Sequence, residues 1–149
     1  VCHVKRQGIK RICCLLNEEQ LRYYQFDLMG YYRKCFGAEN VCHAPIDDFC
    51  LASQELLKSI ILPFLALSDL QRLPTLVHCS GGMGRTGHVL AAWLVFGRNY
   101  EPQEAIIEVK NQRRNPAEAV ELGNASCKQL LNLLESVKDT KPTISSRSQ

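Results

Sequence analysis

At 149 residues, with 46% hydrophobic and 22% charged side chains, the chain can bury one sizeable core and reads as a single globular domain. A net charge of +3 is too weak for a nucleic-acid footprint, and no apolar run reaches the roughly 18 residues that would span a bilayer. Eight cysteines without a single C-x-x-C pair, two of them inside the apolar run RICCLL, read as small core residues of a protein kept in a reducing, cytoplasmic setting rather than as a disulfide scaffold.

Taken in chain order, residues 8–16 predict a buried strand that follows a turn at Gly8. Asn17 then opens a helix, with Gln20 three residues on in a capping-box arrangement. Residues 27–36 predict a second helix closed by Gly37, and residues 40–46 a short strand broken by Pro45. Residues 53–70 carry apolar side chains at helical spacing, and Pro63 should bend or split that helix. A third strand, PTLVHC, covers residues 74–79. The run at 86–96 is apolar nearly all round and predicts a buried helix in which Trp93 is core. Pro102 suits the first turn of the next helix, and a last one covers residues 124–138. The tail at 139–149 has no apolar face and is expected to be disordered, which leaves a domain of residues 1–138. Strands alternating with helices imply an α/β fold, a mostly parallel sheet flanked by helices.

Between the third strand and the buried helix lies VHCSGGMGRTG, residues 77–87. Gly82, Gly84 and Gly87 spell G-x-G-x-x-G, but a dinucleotide site needs a second strand with an acidic residue about twenty positions on, where this chain has the helical EPQEAIIEVK. A purely structural turn leaves Arg85 unexplained, because a cation at a helix start opposes the helix dipole. An anion-binding loop accounts for both. Free amides at a helix N-terminus converge on an anion, and glycines keep side chains out of the way. The same potential makes Cys79 a thiolate, and Arg85 can grip two oxygens of a phosphoryl group. A thiolate beneath a bound phosphate is a nucleophile. Cys2-His3 and Cys42-His43 lack zinc spacing, so neither a metal nor another cofactor is expected.

The pattern His-Cys-x-x-Gly-x-x-Arg-Thr-Gly resembles the active-site loop of the cysteine-based protein tyrosine phosphatases, and the short domain resembles their dual-specificity branch. GIKRICCLLNEEQLRYY, HAPIDD and HCSGGMGRTG follow in the order that branch shows, over roughly residues 8–135. Its members usually carry further strands and a helix ahead of the first strand, where only seven residues stand here, so the resemblance implies a sheet truncated at its N-terminal edge.

The resemblance also implies roles. Cys79 would form a cysteinyl-phosphate. Arg85 and the amides of Ser80, Gly81, Gly82, Met83 and Gly84 would hold the phosphoryl oxygens. His78 would fix the loop and tune the thiolate, and Thr86 would stabilise the departing thiolate. An aspartate about thirty residues before Cys79 would be the general acid. Adjacent side chains of an extended loop point to opposite sides, so Asp47 and Asp48 cannot both serve. The Pro-x-x-Asp register of the family places the acid at Asp48. Cys50 is either an oxidation partner of Cys79 or a small loop residue, and Lys110, Arg113 and Arg114 either recruit anionic substrate or form a solvated face.

The expected substrate is a phosphorylated protein bearing phosphotyrosine or phosphoserine/threonine, met by a monomer with no nucleic-acid or membrane partner. A chain this short cannot build the deep pocket of tyrosine-only enzymes. A loop without lysine argues against a phosphoinositide. RNA 5′-triphosphates and a phosphopeptide-binding pseudophosphatase are the remaining alternatives.

Overall fold

The computed structural model of the protein describes residues 2–138 and 140. Three parallel strands, β1 (Arg11–Cys14), β2 (Val41–His43) and β3 (Thr75–His78), form a sheet in the order β2-β1-β3. In register, Ile12 lies between Val41 and Leu76, and Cys14 between His43 and His78. Every residue of β1 is buried, as suits a central parallel strand covered on both faces. The strands are shorter than the sequence suggests, but pairing runs on beyond them. Leu15 N–H donates to His78 O (2.8 Å), Ala44 N–H to Cys14 O (2.9 Å) and Ile46 N–H to Leu15 O (3.1 Å). Pro45, which has no N–H to give, stands in the gap.

Alternation along β1 divides the core in two. Ile12, Cys14 and Leu16 pack with Leu28, Met29, Tyr32 and Phe36 of α3 (Leu28–Phe36). Cys13 and Leu15 belong to the larger cluster on the other face, built from α5 (Leu62–Leu70), α6 (Gly84–Arg98), α7 (Pro102–Asn111) and α9 (Cys127–Lys138). Helices therefore flank a parallel sheet, as expected.

Local chemistry sets the helix ends. Asn17 and Gln20 close a complete capping box on α2 (Glu18–Leu21), and Asp27 caps α3 by accepting from Gly30 N–H (3.0 Å). The helix expected at 53–70 is split: α4 (Gln54–Leu56) passes through a π-helical turn, Leu57–Ile61, into α5. Pro63 then sits in the first turn of α5, where a missing N–H does least harm. Two short helices, α1 (Cys2–Arg6) and α8 (Glu118–Glu121), carry too little periodicity to be foreseen. The tail expected at 139–149 lies outside the described residues, apart from Thr140. No helix among the described residues is long and apolar enough to cross a membrane.

Arg11 is a buried cation that the sequence did not reveal, 2% exposed. It donates to Phe64 O, Ser68 Oγ and Glu39 O and lies over the Phe64 ring, 3.7 Å from its centroid. Burial lowers its pKa. Its partners come from positions remote in sequence, and it binds α5 to the sheet.

Candidate active site

The loop that follows β3 lies at the carboxyl ends of the parallel strands, where open α/β sheets place their ligands. It turns through Gly82 at φ 72°, a left-handed conformation that glycine adopts without strain. The helix begins at Gly84, two residues earlier than the apolar pattern suggests, so Arg85 and Thr86 stand in its first turn. A Cβ added at Gly81 or Gly82 would meet nothing within 4 Å, which leaves the loop open to an incoming group.

Cys79 is half-buried, and its Sγ accepts from Gly82 N–H (3.2 Å) and from Thr86 Oγ1–H (3.2 Å). Burial raises the thiol pKa. The Thr86 hydroxyl, the Thr86 and Gly82 amides and the Arg85 charge together outweigh it, so the net shift is downward. The thiolate is thus easier to form here than on a free cysteine. Alkylation of Cys79 by iodoacetate should accordingly titrate below the ordinary thiol range. Thr86→Ala removes the strongest of the lowering contacts, so it should move that midpoint upward, as peptide mass mapping across a pH series can check.

Arg85 is 3% exposed, with its guanidinium directed by four neighbours. Nη1 donates to Gln20 Oε1 (2.6 Å) and Ile46 O (3.1 Å), Nη2 donates to Ser80 Oγ (2.8 Å), and Nη2 lies 3.3 Å from Asp48 Oδ1. The anion that a cation at a helix start calls for is here a carboxylate of the loop after β2.

Asp48 also meets Gln20 Nε2 (3.5 Å) and Phe49 N–H (3.1 Å). Asp47 turns away, accepting from Asn17 Nδ2 (3.2 Å). The two aspartates therefore diverge, and only Asp48 faces the guanidinium. Gln20 is a member of this site that the sequence presented only as a cap. Its Oε1 accepts both the capping N–H of Asn17 and the guanidinium of Arg85.

Two histidines brace the loop from behind. His78 donates from Nδ1 to Cys79 O (3.3 Å), and its Nε2 accepts from the Tyr32 hydroxyl (3.0 Å). Burial pushes its pKa down, which favours the neutral ring. His88, which carries no local sequence signal, is 1% exposed. It accepts from Ala52 N–H at Nε2 (2.9 Å) and donates from Nδ1 to Gly84 O (3.0 Å), and burial drives its pKa down to about 4. His88 thereby ties the segment after the aspartates to the start of α6.

A second strut comes from residues 115–118. Asn115 N–H donates to Met83 O (3.2 Å), and the Glu118 side chain lies against Gly84. A Cβ at Gly87 would stand 2.9 Å from the backbone of both Asn115 and Pro116, and backbone has little room to give. Gly87→Ala should therefore destabilise the fold by about 1–3 kcal/mol, the usual cost of overpacking, read as a lowered urea midpoint with unchanged slope.

The remaining expected residues make no hydrogen bond or ion pair with Cys79, Arg85 or Asp48 among the described contacts. Lys110, Arg113 and Arg114 are exposed at and beyond the end of α7. Cys50 lines a surface pocket with Ala52, Asn124 and Gln129. Cys14, buried beneath the loop on β1, has its thiol raised to about 11, chiefly by burial. Among the described residues, no group of three or more His, Cys, Asp or Glu side chains is placed to hold a metal ion.

No curated protein sequence matches the chain. Solved structures do. Tk-PTP in its active form is 26% identical with a TM-score of 0.68, the match covering 89% of this chain and 80% of that one. Kinase associated phosphatase (KAP), with a serine in place of its catalytic cysteine, is 22% identical at a TM-score of 0.70, covering 91% and 72%. PTPMT1 in complex with PI(5)P is 17% identical at a TM-score of 0.67, covering 90% and 81%. A family model described as "PTP-SAK: Swiss Army Knife protein, DSP-PTPase phosphatase domain" matches residues 1–136. The chain belongs to this DSP-PTPase family, the dual-specificity type of cysteine-based protein tyrosine phosphatase.

Proposed function

We propose that the chain is a phosphoprotein phosphatase that hydrolyses phosphotyrosine and phosphoserine/threonine through a cysteinyl-phosphate. The observation that carries this reading is the Cys79 sulfur, held by Thr86 and Gly82 at the mouth of a loop whose Arg85 sits beside Asp48. In the first step the phosphoryl oxygens take the Arg85 guanidinium from Asp48, which acts in its protonated form. The Cys79 thiolate attacks phosphorus, the bond to the leaving oxygen breaks, and that oxygen takes the Asp48 proton. Arg85 and the amides of residues 80–85 hold the phosphoryl oxygens as charge builds on them. In the second step Asp48, now a carboxylate, takes a proton from water as the water oxygen attacks phosphorus. The sulfur departs as a thiolate, stabilised by the Thr86 hydroxyl, and inorganic phosphate leaves.

The residues between nucleophile and arginine, Ser80 to Gly84, carry no charge, and this supports a singly phosphorylated substrate over one with further phosphates to neutralise. The open loop supports acceptance of short and long phosphorylated side chains alike. The test is a turnover panel in chelator: phosphotyrosine and phosphothreonine peptides, phosphoinositides and triphosphate RNA, each at matched concentration. The phosphopeptides should lead. A lead by phosphoinositide or RNA would overturn the substrate assignment, and phosphopeptide binding without turnover would make the chain a binding module.

A further inference from the structure

Beside the phosphate loop lies a second feature that the reaction does not use. Tyr23, Tyr24 and Phe26 stand 77%, 42% and 54% exposed on the segment between α2 and α3, unusual for three large rings within four residues. They are not a floppy tip. Tyr23 N–H donates to Gln20 O (3.2 Å) and Tyr24 N–H to Leu21 O (3.2 Å), while the Asp27 cap anchors the far end. Tyr24 meets Phe26 edge to face at 6.0 Å, and Phe26 meets Tyr31 likewise at 5.8 Å.

Tyr23 and Tyr24, with Leu16, Gln20 and Ser80, line a cavity of about 300 Å³. Two of these residues also serve the catalytic centre, since Ser80 belongs to the phosphate loop and both Ser80 and Gln20 accept from Arg85. The cavity thus adjoins the reaction site through Gln20 and Ser80, and Cys79, Arg85 and Asp48 do not line it. A group that enters it stands beside the reacting phosphoryl group rather than in its place. No lining side chain is charged, and tyrosine rings and a leucine form most of its walls, so its occupant is uncharged and apolar.

We infer that this cavity is a specificity subsite for an aromatic or large aliphatic side chain that neighbours the phosphorylated residue in a phosphopeptide. The inference rests on the phosphoprotein reading above. Aromatic residues around a pocket make anchors for an apolar peptide side chain, and burying one such side chain is worth about tenfold or more in affinity.

The experiment measures kcat/KM for a set of phosphopeptides that differ only at one flanking position, carrying phenylalanine, leucine, alanine or lysine, with the position scanned on both sides of the phosphorylated residue. At one position phenylalanine and leucine should exceed alanine by about tenfold, chiefly through KM, with lysine lowest. Tyr23→Ala and Tyr24→Ala combined should bring the phenylalanine-to-alanine ratio close to one, and a ratio is insensitive to partial loss of folded enzyme. Equal rates for all flanking residues in the unaltered protein would overturn the subsite and leave the phosphoprotein reading standing. A preference that survives the double substitution would overturn it as well, by placing the apolar contact elsewhere. Failure of every phosphopeptide beside rapid turnover of a phosphoinositide would overturn the reading on which the subsite rests, and the subsite with it.

Discussion

Cys79→Ser is expected to reduce turnover by more than ~10⁴-fold while leaving oxyanion binding nearly intact. The contacts around Cys79 favour a thiolate: the Thr86 hydroxyl, the Gly82 and Thr86 amides and the Arg85 charge together overcome the cost of burial. A serine hydroxyl in the same place keeps its proton at neutral pH, so the nucleophile is lost. The rest of the cradle does not depend on the sulfur. Arg85 stays fixed by Gln20, Ile46 and Ser80, and Gly82 keeps its turn. Tungstate, held through the amides and Arg85 without a bond to sulfur, should therefore bind the variant within a few-fold of the unaltered protein, as calorimetry can measure. A serine variant with substantial residual turnover would remove Cys79 from the role of nucleophile.

Asp48→Asn should cost ~10²- to 10⁴-fold in kcat for an alkyl phosphate, the usual worth of a positioned general acid. The loss should shrink for an activated aryl phosphate, whose leaving oxygen needs little protonation. The dependence on the leaving group separates acid catalysis from a merely structural contribution of the contact with Arg85, which would weaken both substrates alike. Asp47→Asn is the matched control, because its carboxylate faces Asn17 across the exposed start of α2 and not the guanidinium. The reverse ranking of the two variants would shift the assigned acid by one residue.

What could be read from the sequence follows from how locally each feature is determined. The capping box at Asn17 and the place of Pro102 are set by side chains within three residues of the backbone they serve, so local sequence alone reveals them. Asp27, which the sequence offers as the first residue of a helix, proves to be its cap. Pro63 announced an interruption, but the π-helical form it takes, Leu57–Ile61, depends on packing that keeps Leu57 and Ile61 both buried. The strands were legible as apolar runs. Their short extents follow from Pro45 and from the departure of each chain at the carboxyl edge.

The candidate site divides in the same way. The spacing of His78, Cys79, Arg85 and Thr86 lies in one stretch of chain. His88 does not advertise itself, because the groups that employ it, Ala52 N–H and Gly84 O, are backbone atoms, and one of them lies 36 residues away. Gln20 reads as a cap because its second task, accepting from Arg85, spans 65 residues. Arg11 is hidden for the same reason: a cation inside an apolar run looks like a strand edge until Phe64 and Ser68 fold over it. Asp47 and Asp48 are the middle case. Alternation along an extended loop requires that they diverge, and only the folded loop says which of them meets Arg85.

The proposed reaction passes through a covalent bond between phosphorus and the Cys79 sulfur, and trapping that bond tests it most directly. An aryl phosphate mixed with the Asp48→Asn variant and quenched within the first turnovers should leave one phosphoryl group on the peptide that contains Cys79, with a matching burst of the released aryl alcohol. Fragmentation should place the group on the sulfur itself, and Cys79→Ser should carry none. A phosphoryl group on any other residue, or a burst of alcohol with no phosphoenzyme, would contradict the account.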